Sequence, residues 1–401
     1  MIIIKLLLSI MIITSTTLLA QVTKIDESKL DLKYYEKFKG QNRVVNVYNW
    51  GEYIADGSDD SVDINKEFER ITGIKVNYTT FASNEELYVK LKVGGISYDV
   101  IIPSDYMIAK LIREKLIQKI NYNNIPAYKN IDPKFRKGLY DPNGEYSIAY
   151  TWGVNGIIYN KKFVKEDNID LDILFNDKYK GQILMYYNPR DAFAIAQTYL
   201  GYSVNTTNEN ELRETARILK DQKKLVQSYV MDEIYDKMEG EEAYIGVYYA
   251  GDSLSMIENN PNLDFIIPAK GANLFIDAIA IPSNAENVDT AELYINFLSE
   301  AEVALANAEY INYASPNTAA IEIMDEDMKN NKLIYPPTEV LDNCEVYLEL
   351  PEETNILIDD LWREILSNDK KYNNLVMPIG LAVVIAFCVI IMILKKKKKR
   401  A

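Results

Sequence analysis

The chain has 401 residues, of which 48% are hydrophobic, enough to bury two ordinary cores and to exclude a disordered or fibrous class. It contains no histidine and only two cysteines, which excludes Ser-His-Asp and Cys-His nucleophilic systems, HExxH zinc sites and a disulfide scaffold. Its formal net charge of −15 opposes nucleic-acid binding and favours cations.

Residues 1–20 carry one basic residue, Lys5, then a short apolar run and small or hydroxylated residues. This pattern predicts a secretory signal, or an N-terminal anchor because Leu18 makes cleavage after Ala20 poor. Residues 21–42 are charged and turn-poor without a clear apolar face, and read as a spacer with one short helix at most. At the other end, residues 375–394 carry no charge, and as a helix they would span about 30 Å, the thickness of a bilayer's hydrocarbon core. The six basic residues 395–400 place that end in the cytoplasm and residues 21–374 outside. Cys344 then lies in the exported part and Cys388 in the apolar run, so they do not pair. Setting aside Lys5 and the basic tail leaves 37 basic against 59 acidic side chains outside.

The folded part starts at Arg43. Residues 44–49 read as a buried strand that stops at Trp50-Gly51-Glu52-Tyr53, where glycine turns the chain and an aromatic, a carboxylate and a second aromatic project from the strand end. In open α/β sheets that end is where ligands bind. A helix follows at 63–71, closed by Gly73, then a strand at 74–80, a helix at 84–92, a strand at 98–102 and a helix at 105–116. This alternation predicts a parallel sheet with helices on its faces.

After Tyr150 the pattern changes, marking a second lobe. Strands are expected at 153–159, 183–187, 243–249, 265–268 and 276–281, and helices at 171–175, 192–200, 210–220, 289–299, 301–308, 318–324 and 353–367. Asp277 interrupts an apolar strand, where a carboxylate is rarely left without a partner. No Walker loop and no GxGxxG motif follows a strand, so no cofactor is implied and an enzyme would have only carboxylates and tyrosines to work with.

Together VYNWGEY, GIKVNYTTFASNEELYVKLK, YDVIIPSDYMI, YSIAYTW, DAIAIPSNAENVDTAELYINFL and INYASPN resemble the spermidine/putrescine-binding proteins of bacterial polyamine ABC importers, over residues 43–366. The resemblance implies a type II periplasmic-binding-protein-like fold, two α/β lobes that are each a mostly parallel sheet flanked by helices, followed here by the C-terminal transmembrane helix. Lobe 1 would comprise residues 43–152 with 276–321, and lobe 2 residues 153–275 with 322–367. Carried over position by position, the family's polyamine-binding residues fall on Trp50, Glu52, Tyr53, Ser104, Tyr106, Asn188, Asp191, Tyr249, Phe275, Asp277 and Tyr313. The implied partners are a polyamine and the ABC permease subunits, and the implied action is substrate capture rather than catalysis.

The departures from the family are specific. Asn188 replaces a carboxylate, Tyr249 and Phe275 replace tryptophans, Gly51 replaces a threonine, and Tyr347 stands where a glutamine is expected. One negative charge fewer in lobe 2 disfavours a triamine and leaves a diamine such as putrescine. For single residues bland readings stand alongside: Ser104 as a helix cap, Phe275 as core, Tyr249 and Tyr313 as packing among 30 tyrosines. A membrane-tethered sensor of cationic amines and a carboxylate-only hydrolase are the competing functions. The short cytoplasmic tail offers no signalling domain to the first, and the second needs two acids facing one bond.

Overall fold

The computed structural model describes residues 24–367. The leader or anchor expected at 1–20 and the membrane helix expected at 375–394 lie outside the described residues, among which no helix is long and apolar enough to cross a membrane. Eleven strands alternate with helices: β1 Val44–Trp50, β2 Lys75–Phe81, β3 Val100–Ile101, β4 Ile117–Gln118, β5 Ser147–Asn160, β6 Ile183–Tyr186, β7 Val226–Val230, β8 Ile245–Tyr249, β9 Leu263–Ile266, β10 Asn273–Pro282 and β11 Glu345–Val346. Their order, β2-β1-β3-β10-β5-β8-β6-β7, divides into two lobes about the long β5 and β10.

In the first lobe β1 pairs in parallel with β2 and β3; in the second, β6 pairs in parallel with β7 and β8. β5 and β10 join them as an antiparallel pair, so each sheet is mixed rather than purely parallel. β5 lies against β10 from Ser147 to Val154 and against β8 and β9 from Asn155 onward, so a single strand begins in one lobe and ends in the other. The register of the pair shifts between Asp277 and Ala278, leaving Tyr150 as the extra residue opposite them. Such a bulge bends the strand and re-aims its side chains.

Alternation along β1 sends Val45 and Val47 into a core with Phe68, Ile279 and Phe297, and Tyr48 into one on the opposite face with Phe81, Leu87 and Ile101. The helix Ile64–Thr72 begins where the Asp63 side chain accepts the Lys66 amide and ends at Gly73, whose φ of 72° is the left-handed form that only glycine adopts freely. The second lobe's core gathers Ile157, Leu184, Phe193 and Val247 and is closed by Trp362 and Ile365 of the helix Glu352–Leu366.

Three parts differ from the pattern read in the sequence. Residues 24–38 are not a bare spacer: Ile25, Leu30 and Tyr35 are buried in the first lobe's core, on short turns whose spacing has no helical period. β7 and the helices Ile234–Glu239 and Ala250–Asn259 were not expected. Met324, Met328 and Ile334, assigned to lobe 2, instead pack with Trp152, Leu305 and Ala308, where β5 passes between the lobes.

Candidate functional site

The two sheets end at a cleft between the lobes. β1 delivers Trp50 to it, and the turn that follows holds Glu52 at φ 47°, a left-handed conformation unusual for a residue with a side chain. All eleven residues expected to bind ligand line this cleft. Trp50, Glu52, Tyr53, Ser104 and Tyr106 come from the first lobe. Asn188, Asp191 and Tyr249 come from the second, Phe275 and Asp277 from β10, and Tyr313 from the segment beside the hinge. Five carboxylates line the cleft and no lysine or arginine does.

Asp277 is 4% exposed; its Oδ2 accepts the Tyr53 hydroxyl at 2.5 Å, and its Oδ1 lacks a well-formed hydrogen bond. Burial pushes its carboxyl up to about 6, against the lowering effect of the Tyr53 hydroxyl and of the nearby Ser104 hydroxyl. Tyr53 is fixed in turn: its hydroxyl lies 2.7 Å from Thr151 Oγ1, and its carbonyl accepts the Tyr150 hydroxyl at 2.9 Å. The bulge thus places Thr151 and Asp277 together against Tyr53.

Asp191 lies in the first turn of the helix Pro189–Leu200, where the helix dipole favours an anion. Its Oδ2 accepts from Tyr249 at 2.6 Å and from Asn188 at 2.9 Å, and its Oδ1 from Tyr347 at 2.8 Å. Burial raises its carboxyl and the two tyrosine hydroxyls lower it. Asn188 therefore caps the helix and steadies the neighbouring carboxylate, and Tyr347, set against Arg190 at 4.7 Å, supplies a further donor.

On the facing wall Ser104 stands at the N-cap of the helix Asp105–Arg113, yet its hydroxyl makes no capping bond. Asn84 holds it instead, donating to Ser104 Oγ and to the Tyr106 hydroxyl, each at 3.1 Å. Tyr53, Tyr313, Phe275 and Tyr249 touch in sequence at ring separations of 5.4, 5.8 and 5.4 Å, an aromatic wall running from one lobe to the other. Trp50 leans on Phe81 at 4.5 Å, across the cleft mouth from that wall.

Sequence reasoning missed two carboxylates. Asp252 accepts from Tyr313 at 2.7 Å and from Tyr235 at 2.8 Å, and burial, with Asp232 and Glu52 nearby, pushes it up to about 7. Asp232 accepts from Tyr248 at 3.2 Å. A signal for Asp252 was present: Tyr249-Ala250-Gly251-Asp252 repeats, at the end of β8, the aromatic, glycine and acid that end β1. A Cβ on Gly251 would sit 2.5 Å from the Tyr313 ring, so glycine is what lets that ring reach Asp252. Nothing comparable marks Asp232, which follows a strand that was itself unexpected.

Chemically, an acid-lined aromatic slot accepts a flexible cation with apolar spacers. Comparison with known proteins agrees. A family model described as bacterial extracellular solute-binding protein matches residues 96–343. The chain is 34% identical over 307 residues to the spermidine/putrescine-binding periplasmic protein of Escherichia coli, covering 76% of this chain and 86% of that one. It is 30% identical over 345 residues to the putrescine-binding periplasmic protein SpuD of Pseudomonas aeruginosa, covering 81% and 92%. Among solved structures, the spermidine/putrescine ABC transporter substrate-binding protein PotD of Streptococcus pneumoniae matches with a TM-score of 0.69 at 35% identity, over 81% of this chain and 98% of that one.

Proposed function

Since the chain belongs to the family of bacterial extracellular solute-binding proteins, we propose that it captures a polyamine, putrescine or spermidine, between its lobes and delivers it to an ABC permease. The single observation that carries this reading is the buried Asp277 carboxylate, one oxygen of which lacks a well-formed hydrogen bond, in a cleft whose other walls are aromatic rings and further acids. An ammonium group completes such an oxygen, and burying a carboxylate without a donor costs several kcal/mol. The rings supply affinity. Each buried methylene contributes about 0.8 kcal/mol, so a four-carbon spacer gains about 3 kcal/mol, and a cation over a ring adds about 0.5 to 2 kcal/mol.

The eleven expected residues, with Asp252 added, form the proposed binding set. Action outside the cytoplasmic membrane accords with the periplasmic relatives, and the apolar run at 375–394 would tether the binder beside its permease and raise its effective concentration there. The family consists of substrate-binding components of transporters rather than enzymes. The test is calorimetric titration of the full-length chain with putrescine, spermidine, spermine and 1,4-butanediol. Saturable one-to-one binding of an amine, with no heat from the diol, is expected; silence from every amine in a folded sample would sink the proposal.

A further inference from the structure

We infer that Asp232 selects for a second positive charge at the outer end of the cleft, and that the absence of a side chain at Gly51 is what admits it. The inference rests on the polyamine reading of the cleft and adds a residue to it. Gly51 belongs to the first lobe, in the turn after β1; Asp232 belongs to the second, just after β7. A Cβ built on Gly51 would lie 2.8 Å from Asp232 Oδ2, closer than real Cβ atoms approach anything. The carboxylate therefore rests on the backbone of the opposite lobe, in space that any residue larger than glycine would occupy.

Each end of the cleft presents its own acid. At the inner end Asp277, 4% exposed, lines the cleft with an Oδ1 that lacks a well-formed hydrogen bond, which suits one ammonium. At the outer end Asp232 meets Glu52 of the first lobe and Asp252 of its own, and the cleft opens there into a mouth that includes Glu239 and Glu258 with no lysine or arginine in its lining. With the lobes together Asp232 rests against Gly51, and Glu52 lies close enough for the two carboxylates to act on each other. Two carboxylates held together without a cation repel, so the closed form lacks a counter-charge until a ligand supplies one. A diamine carries a second ammonium for the outer acids. A monoamine satisfies Asp277 and leaves the outer acids facing each other.

The geometry also fixes the direction of a test. Gly51 is not in the left-handed region, so alanine fits its backbone, and the added methyl displaces the free end of the Asp232 side chain. The full-length chain is titrated with putrescine and with n-butylamine, and the dissociation constant of n-butylamine divided by that of putrescine is the readout. Asp232→Asn should reduce that ratio about tenfold, chiefly through weaker putrescine binding. Gly51→Ala should reduce it similarly, and the double variant should fall no further than either single one. Asp221→Asn, on a distant exposed helix, should leave it unchanged. An unaltered ratio in Asp232→Asn, losses that multiply in the double variant, or an equal fall in Asp221→Asn each overturn the inference while leaving the polyamine reading intact. Failure of the unaltered chain to bind either amine removes both.

Discussion

Tyr53 donates its hydroxyl to one oxygen of Asp277 at 2.5 Å, while the other oxygen of the same buried carboxylate lacks a well-formed hydrogen bond. The arrangement orients the carboxylate without completing it. Folding accepts an unfavourable group at the centre of the cleft, and ligand binding removes the penalty.

Asp277→Asn should therefore separate binding from folding. Charge-assisted hydrogen bonds are worth about 1.5 to 3 kcal/mol, so putrescine affinity should drop by about 10- to 100-fold. The unliganded protein should melt no lower than the original, because a buried charge has been removed. Calorimetry with thermal melts reads both effects; a dissociation constant within twofold of the original would take Asp277 out of the site.

Acid should weaken binding. Asp277 and Asp252 are held at about 6 and about 7, above the ordinary 3.8, chiefly by burial, with Glu52 and Asp232 adding to the rise at Asp252. Between about pH 4 and these values the unliganded fold keeps protons that the unfolded chain has released, so these two groups make unliganded stability fall as pH rises through that window. An ammonium ligand requires both carboxyls ionised. Binding near pH 6 should release protons, and affinity should decline from pH 7.5 to 5.5. Titration at pH 6 in two buffers of different ionisation heat measures the release, and equal heats in both would contradict the account.

Why the sequence revealed some of this and not the rest follows from local physics. The element from 64 to 72 was legible because its apolar residues recur at helical spacing between an acid cap and a glycine stop. The strand-end motif at 50–53 was legible because a glycine between an aromatic and an acid has few other uses. β7, by contrast, carries Val226, Gln227, Ser228, Tyr229 and Val230, too polar and too short to stand out, and Asp232 went unseen with it. Ile25 and Leu30 flank a three-residue 3₁₀ turn and Tyr35 ends a single helical turn, so neither helical nor strand periodicity could show that they are core. Contacts between residues distant in sequence, such as Gly51 with Asp232, leave no local trace.

Asn188 offers a test of whether the second lobe reads ligand length. Its Oδ1 accepts the Arg190 amide and its Nδ2 donates to Asp191, both at 2.9 Å. Asn188→Asp keeps the cap, since aspartate caps helices as well as asparagine does, but turns the second contact into a repulsion. The unliganded protein should melt several degrees lower, and spermidine should recover more of that loss than putrescine. An unchanged preference between the two amines would show that position 188 does not read ligand charge.

Tyr35 tests whether the segment before Arg43 belongs to the first lobe. Its ring is fully buried against Phe297, its hydroxyl donates to Glu300 Oε1 at 2.7 Å, and Asn296 donates back to that hydroxyl at 2.5 Å. Truncating a buried aromatic leaves a cavity that costs about 3 to 5 kcal/mol. Here two further polar groups, Glu300 and Asn296, lose a partner inside the core, so Tyr35→Ala should stand at the upper end of that range. Tyr35→Phe keeps the volume and removes only the hydroxyl, and should cost about 1 to 3 kcal/mol. Urea denaturation orders the variants. Should both unfold at the original midpoint, residues 24–38 would be a spacer in solution; should the midpoints fall in the predicted order, the lobe's core begins well before the first strand of its sheet.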